Sequence, residues 1–183
     1  MGSNFKTLIK EDLAQYIDKS SFTIKDYLYA FVKHIGFKYV FFLRLCKVCR
    51  SKKWLFPLFL INRVIFRHLS IKYGIQISYK TDIKGGFKIN HYSGIGIDQK
   101  AKIGRNLNIR QNTTIGNTYK GCPIIGDNVY IGANCVLIGK ITIGNNVVIG
   151  AGSVVNKSIP DNCTVVGNPC RIIDSNNNPA SIT

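Results

Sequence analysis

Acidic residues are scarce in this chain of 183 residues, in which 9 Asp and Glu stand against 25 Lys and Arg. The resulting formal net charge of +16 would suit a nucleic-acid partner. No recognised nucleic-acid-binding motif accompanies that charge, and the basic residues are dispersed, so we expect no nucleic-acid partner. A hydrophobic content of 45% excludes a disordered chain and is sufficient for one domain with a sizeable core.

Long uncharged hydrophobic runs are also missing. The longest charge-free run in the apolar N-terminal part covers residues 54–62, which is far short of the ~20 residues that a membrane-spanning helix needs. Lys6, Lys10, Glu11 and Asp12 interrupt any apolar segment that could form a signal peptide. We therefore expect a cytoplasmic protein.

Cysteine and histidine are too few and too scattered to predict a metal site. The six cysteines form no disulfide framework, and the one Cys-x-x-Cys pair, Cys46 and Cys49, has no second pair at zinc-ribbon spacing. Of the three histidines, His34 and His68 fall in helical patterns, where a surface or packing role is expected. Only His91 lies in a glycine-rich region. We therefore expect the cysteines to be reduced thiols and the protein to bind no metal.

The first part of the chain has the pattern of helices. Apolar residues three or four positions apart predict helices at 10–17 and 25–34. A longer apolar stretch with interleaved basic residues follows at 39–69, and Pro57 is expected to start or kink a helix within it.

A six-residue period governs the second part. An aliphatic residue recurs at every sixth position, a small or β-branched residue mostly stands two positions earlier, and glycine often follows it. Hexapeptide repeats indicate a parallel β-helix, in which three hexads form one coil and Gly, Asn or Asp occupies the turns. Breaks in the frame fall at 95–97 and at 115–125. The aliphatic positions are Ile83, Ile89 and Ile95, then Ile97, Ile103, Ile109 and Ile115, then Ile125, Ile131, Leu137, Ile143, Ile149 and Val155.

These patterns divide the chain into three parts. Residues 1–74 form a helical N-terminal segment, residues 75–173 form the repeat domain, and the polar tail 174–183 is expected to be disordered. The predicted fold class is therefore mainly β, a parallel β-helix preceded by an α-helical segment.

Two segments of the repeat domain resemble a known family. Residues 149–160 (Ile-Gly-Ala-Gly-Ser-Val-Val-Asn-Lys-Ser-Ile-Pro) and 166–171 (Val-Gly-Asn-Pro-Cys-Arg) resemble the C-terminal signature of hexapeptide-repeat acyltransferases. Residues 90–95 (Asn-His-Tyr-Ser-Gly-Ile) are similar to the histidine segment of serine acetyltransferases and polysaccharide O-acetyltransferases. The resemblance implies a left-handed β-helix, a homotrimer, and an acetyl-CoA site in the cleft between neighbouring subunits.

The resemblance also implies that His91 is the general base. Transfer of an acetyl group from a thioester to a hydroxyl needs a base for the hydroxyl proton, and imidazole, with an ordinary pKa near 6.5, suits this task. In serine acetyltransferases an aspartate directly precedes this histidine and another lies about one coil earlier. Here Asn90 stands at the first position, and Asp82 is the nearest counterpart of the second, although its nine-residue spacing does not match a coil.

Five further residues are candidates for binding acetyl-CoA, because they match the family's segments for that substrate. Ala133 and Ala151 would line the path of the pantetheine arm, while Asn156, Lys157 and Arg171 would meet the adenosine and its phosphates. Small residues permit close approach, and Lys and Arg neutralise phosphate. The alternative is that Lys157 and Arg171 are solvated surface charges and that Ala133 is a plain repeat residue.

The predicted function is an acetyl-CoA-dependent O-acetyltransferase that acts on a sugar hydroxyl in cell-surface polysaccharide biosynthesis. One alternative is a serine O-acetyltransferase of cysteine biosynthesis, but those enzymes carry a second histidine in the segment matching 119–123, and this chain has none there. A second alternative is a non-catalytic basic binding protein. The basic, apolar segment 39–69 either packs within the trimer or contacts the inner membrane surface, where it would meet a lipid-linked acceptor.

Overall fold

Four helices precede a parallel β-helix in a computed structural model, which describes residues 4–175. The helices are α1 (Phe5–Ala14), α2 (Ile24–Lys33), α3 (Ile35–Ser51) and α4 (Phe56–Tyr73), with a short 3-10 turn at Lys53–Leu55. Asp174 belongs to the last strand, so the tail expected to be disordered does not begin there. The rest of that tail, residues 176–183, lies outside the described residues.

The structure corrects the position of the first helix. Helix α1 begins at Phe5 and ends at Ala14, whereas the apolar spacing predicted 10–17. One of the residues that this helix buries is Asp12, and a buried carboxylate is invisible to a search for apolar periodicity. The expectation for Pro57 is confirmed, because it lies in the first turn of α4, where its missing N–H costs no helical hydrogen bond.

The second part of the chain forms three sheets of very short strands, as the hexad period predicts. The strands are β1 (Ile75–Ile77), β2 (Asp82–Ile83), β3 (Lys88–Ile89), β4 (Ile95–Ile97), β5 (Lys102–Ile103), β6 (Asn108–Ile109), β7 (Thr114–Gly116), β8 (Ile124–Ile125), β9 (Tyr130–Ile131), β10 (Val136–Ile138), β11 (Thr142–Ile143), β12 (Val148–Ile149), β13 (Val154–Val155), β14 (Thr164–Val166) and β15 (Arg171–Asp174). The first sheet has the order β1-β4-β7-β10-β13, the second β11-β8-β5-β2, and the third β15-β14-β12-β9-β6-β3. All strand pairings are parallel except β14 with β15.

The length of a coil varies along the β-helix. Ile131 pairs with Ile149, which is the separation expected for three hexads. The pairings of Ile83 with Ile103 and of Ile103 with Ile125 both span more of the chain than three hexads do. The aliphatic residues of the hexads are nevertheless buried throughout, because the extra residues are accommodated at the corners between the sheets.

Asparagine occupies the corner between the second and third sheets. Asn106, Asn128, Asn146 and Asn162 have φ values of 56°, 57°, 56° and 59°, a left-handed conformation that asparagine tolerates better than most residues. Their side-chain amides form a ladder with N···O distances of 2.8, 3.0 and 2.9 Å. Gln15, just after α1, donates to the Oδ1 of Asn106 at the head of this ladder, at 3.2 Å.

A buried ion pair joins the helices to the first coil. Arg44 of α3 donates from Nε to Asp12 Oδ2 at 3.0 Å and from Nη1 and Nη2 to the carbonyls of Ile83 and Lys84 at 2.6 and 2.5 Å. Asp12 Oδ1 accepts the N–H of Phe87 at 2.8 Å. Burial raises the pKa of the Asp12 carboxyl, because desolvation outweighs the attraction of Arg44 and the hydrogen bonds.

One described helical segment, Lys53–Tyr73, is long and apolar enough to cross a membrane, judged by length and composition alone. The absence of a long charge-free run predicted no such segment. The difference arises because Arg63 and Arg67 interrupt the run without lowering the average hydrophobicity of the segment very far. Length and composition do not separate a spanning helix from one packed on a domain.

We expect Asp12→Asn to lower the free energy of unfolding by about 3–5 kcal/mol, because it leaves the Arg44 charge buried without its counter-charge. Denaturant unfolding of the variant measures this loss. The matched control is Asp18→Asn, the same change at an exposed position, which should alter stability by less than about 0.5 kcal/mol. Equal effects from the two substitutions would contradict a structural role for the pair.

Candidate active site

His91 lies on a two-residue insertion at the corner between the third and first sheets. In its coil the chain takes eight positions from Ile89 to Ile97, whereas in the next coil it takes six from the paired Ile109 to Ile115. The two extra residues explain the frame break that the sequence shows at 95–97. His91 is exposed on this insertion, so its imidazole is accessible to substrates.

Aromatic residues hold this insertion on both sides. Before it, the Tyr16 hydroxyl accepts the N–H of Ile89 at 3.0 Å and donates to the carbonyl of Ile89 at 3.2 Å. After His91, the Tyr92 ring meets the Tyr73 ring of α4 edge to face, with 5.1 Å between ring centroids. The backbone that carries His91 is therefore fixed by the helical segment.

Ser93 also marks this insertion as a special segment. Its φ of 98° makes it the one residue with a positive φ in the described part of the chain that is neither glycine nor asparagine. Its carbonyl accepts the N–H of Asn112 in the next coil at 2.9 Å. Sparsely populated backbone conformations cluster at functional sites, where the surrounding structure maintains them.

The two residues predicted to orient His91 do not bind it in this structure. Asp82 lies in β2 on the second sheet, where its carboxylate is 3.4 Å from Lys84 Nζ, so the fold does not bring it to the corner of His91. Asn90 directly precedes His91 and is exposed, and within residues 4–175 no hydrogen bond joins its side chain to the imidazole. An orienting role for Asn90 stays a prediction.

A track of stacked residues, two of them alanines, runs along the corner of His91. Gln111, Ala133 and Ala151 each stand two positions after the paired Ile109, Ile131 and Ile149, so they stack in successive coils. At Gly132 an added Cβ would lie 2.6 Å from the backbone N of Ala151, so the coils pack too tightly there for a side chain. The role of Ala133 and Ala151 along the pantetheine path stays a prediction.

The remaining acetyl-CoA candidates lie elsewhere on the chain. Asn156 and Lys157 follow β13 at the opposite edge of the first sheet, and both are exposed. Arg171 begins β15 on the third sheet and is also exposed. One chain therefore does not gather all five candidates at one point.

Two basic residues that were not among the sequence candidates, Lys88 and Arg110, lie at the strands of the third sheet that lead to the corner of His91. Arg110 occupies the position of Asn90 one coil further on, because Ile89 pairs with Ile109, and its guanidinium carbon lies 5.5 Å from the centre of the Tyr130 ring. Burial lowers the pKa of Lys88, and the charge of Arg110 lowers it further. Among the described residues the Nε of Arg110 is buried without a hydrogen-bond partner, so this positive site is suited to an anionic group. The stacking register is the signal that could have found it.

Comparison with known proteins identifies the family. Residues 122–157 match the family model described as bacterial transferase hexapeptide (six repeats). The Escherichia coli protein WcaB, named for acetyl transfer in colanic acid biosynthesis, is 38% identical over 135 residues, which are 69% of this chain and 82% of WcaB. The chain belongs to the hexapeptide-repeat acetyltransferases. This confirms the predicted enzyme class.

Serine acetyltransferases recur among the relatives of this acetyltransferase. That of Bacillus pumilus is 30% identical over 176 residues, which are 94% of this chain and 79% of the relative. A plant relative is much longer, since the chain spans 31% of mitochondrial serine acetyltransferase 3 of Arabidopsis thaliana. The solved soybean serine acetyltransferase is 28% identical with a TM-score of 0.76, over 92% of this chain and 69% of the soybean chain. The serine alternative is therefore supported better than the sugar prediction.

We expect Tyr16→Phe to lower kcat about tenfold while KM for acetyl-CoA changes little. The substitution keeps the ring but removes the hydroxyl that hydrogen-bonds the backbone N–H and carbonyl of Ile89. Because Ile89 lies two residues before His91, this loss loosens the backbone that positions the imidazole. Steady-state kinetics measure the separation of kcat from KM.

The matched control is Tyr39→Phe. The Tyr39 hydroxyl donates to the carbonyl of Ile75 on the same edge of the first coil, at 3.4 Å, and Ile75 pairs with Ile95, which comes after His91 in the chain. An equal loss of kcat in both variants would mean that Tyr16 supports the fold generally and does not position His91.

Proposed function

We propose that this chain transfers an acetyl group from acetyl-CoA to a hydroxyl group, with His91 as the general base. The observation that carries the proposal is the exposed imidazole on an insertion whose backbone is fixed on both sides by Tyr16 and Tyr92. A general base in this reaction takes a proton from the acceptor hydroxyl and then gives it to the CoA thiolate. It therefore needs a side chain that both substrates can reach, on a backbone that holds it in place.

In the proposed reaction, the imidazole of His91 takes the proton of the acceptor hydroxyl as its oxygen attacks the thioester carbonyl. A C–O bond forms, and the C–S bond breaks as the tetrahedral intermediate collapses. The CoA thiolate leaves and receives the proton from the imidazolium, which restores the neutral base. The acetyl group passes directly to the acceptor, without a covalent enzyme intermediate.

L-Serine is the leading acceptor in this proposal. The likeness to serine acetyltransferases supports it, because it extends through the helical segment as well as the repeats. Lys88 and Arg110 support it independently, since they place positive charge at the strands that lead to the corner of His91, where it would attract a carboxylate. The carboxylate would orient the serine hydroxyl toward the base.

A sugar hydroxyl is the second candidate acceptor, and one observation favours it. Ile115 and Ile125 are ten residues apart where the hexad period would give six, and the extra residues form a turn in which Thr118 and Gly121 pair and Tyr119 is 95% exposed. No histidine stands in this turn, whereas the serine alternative expects one. An exposed tyrosine suits stacking on a sugar ring.

The proposed assembly is a homotrimer with acetyl-CoA bound between subunits. Its support is the distribution of the acetyl-CoA candidates, because Asn156 and Lys157 lie across the first sheet from Ala133 and Ala151. A ligand that lies in a cleft between two chains can meet residues from both of these edges. Arg171 would come from the third sheet.

We expect His91→Ala to lower kcat by about 10²–10⁴-fold, the usual contribution of a positioned general base. Release of CoA thiol from acetyl-CoA in the presence of the acceptor measures the loss. The matched control is His68→Ala, which removes an exposed histidine from α4 and should leave the rate unchanged. Retention of full activity by His91→Ala would remove His91 from the mechanism.

A parallel assay separates the two acceptors. We expect L-serine to accelerate thiol release, and we expect Arg110→Gln to raise KM for L-serine because the carboxylate loses its counter-charge. Mono- and oligosaccharides form the second arm of the assay. Acceleration by sugars with no response to L-serine would replace the serine proposal by the sugar proposal.

A further inference from the structure

The outward side of α4 carries an apolar surface that nothing in the described part of the chain covers. Its buried side consists of Phe59, Asn62, Phe66 and Leu69, which repeat at three and four residues as a packed helix face does. Four aliphatic residues on the opposite side are 50–71% exposed, and we call them the apolar face of α4: Leu60, Ile61, Val64 and Ile71.

This arrangement is unusual for a helix on a water-facing surface, where the outer side is normally polar. Helix α4 is apolar on both sides, and the segment that contains it has the length and composition of a membrane helix. It is nevertheless packed along the domain, because Phe66 contacts Tyr39 of α3 with 5.0 Å between rings, and Gly74 leads directly into β1. The helix is thus positioned to lie along a membrane surface without crossing it.

The charge of the surrounding chain favours an anionic partner for the apolar face. Residues 27–81 contain eleven Lys and Arg and not one Asp or Glu. On the helix, Arg63 and Arg67 stand on one side of the apolar face and Lys72 on the other. If this face bound its counterpart on a second copy, these cations would meet each other without a carboxylate, so an anionic surface is the complementary partner.

A groove beside the apolar face supplies a place for a phosphate group. It lies between α4 and β1, has a volume of about 510 Å³, and is lined by Arg63, Arg67, Ser70, Gln76 and Tyr79 among others. Neither arginine is in an ion pair with any residue in the described range 4–175. Guanidinium and hydroxyl groups together match the donors that a phosphodiester headgroup accepts from.

We propose that α4 binds the surface of an anionic membrane, with its apolar face among the acyl chains near the headgroups and with Arg63 and Arg67 on lipid phosphates. This interaction is separate from acetyl transfer and does not depend on the identity of the acceptor. It places the protein at the inner surface of the cytoplasmic membrane. Because Tyr73 at the end of α4 contacts Tyr92, the bound helix ends beside the insertion that carries His91.

The test is flotation of the full chain with vesicles of phosphatidylcholine, with or without phosphatidylglycerol. We expect recovery with the anionic vesicles only, and loss of this recovery at high salt. Absence of the protein from the anionic vesicle fraction at low salt would overturn the proposal, as would equal recovery with both kinds of vesicle.

Two variants test the surface itself. Arg63→Gln combined with Arg67→Gln should weaken partition into anionic vesicles about 25-fold, because each basic residue near such a surface contributes about fivefold. Lys102→Gln combined with Lys140→Gln removes the same charge from exposed positions of the β-helix and should have little effect. Equal losses in the two double variants would mean that net charge, and not α4, drives binding.

The apolar face is tested by Leu60→Gln combined with Val64→Gln, which should also weaken partition while the protein keeps its mass in light scattering. A smaller assembly with unchanged flotation would show that this face joins subunits and would overturn the proposal. Thiol release in the absence of vesicles checks that each variant is folded. Since flotation needs no turnover, failure of membrane binding and failure of the acetyl-transfer proposal are separate outcomes.

Discussion

The open edge of the first coil is the constraint on which the rest of this structure depends. Every later coil hydrogen-bonds to the coil before it, but the backbone groups at this edge have no strand above them, and buried polar groups without partners are costly. The helical segment supplies side chains in place of a strand. Arg44 donates to the carbonyls of Ile83 and Lys84, and Asp12 accepts the N–H of Phe87. The Tyr16 hydroxyl accepts the N–H of Ile89 and donates to its carbonyl.

This way of ending the β-helix links stability to chemistry. The contacts that satisfy the edge also hold the backbone two residues before His91, so the helical segment supports the candidate active site without contributing a reacting group. The far end of the same segment reaches the insertion through the rings of Tyr73 and Tyr92. Helices and repeats therefore act as one unit, in agreement with a structural likeness that extends over both.

The local features of the fold could be predicted from the sequence, and the long-range ones could not. The hexad positions from Ile125 to Val155 follow from spacings of a few residues, and the place of Pro57 in the first turn of α4 follows from the chemistry of proline alone. The partners at the open edge are 39 residues apart for Arg44 and Ile83 and 73 for Tyr16 and Ile89, and no local pattern connects them. His91 was predicted through family resemblance, whereas Arg110 is found only through the stacking register. Asp82, predicted to orient His91, lies on the second sheet and not at the corner of His91, which the spacing along the chain did not reveal.

The unequal lengths of the coils have a consequence for how such enzymes diversify. The strands keep their register in the shorter and the longer coils alike, because the extra residues lie at the corners between the sheets and not within the strands. Insertions there can lengthen, shorten or be exchanged between relatives without disturbing the stacked aliphatic core. A single corner, such as residues 117–122, can then be replaced by evolution or by an engineered graft while the rest of its coil keeps the same register.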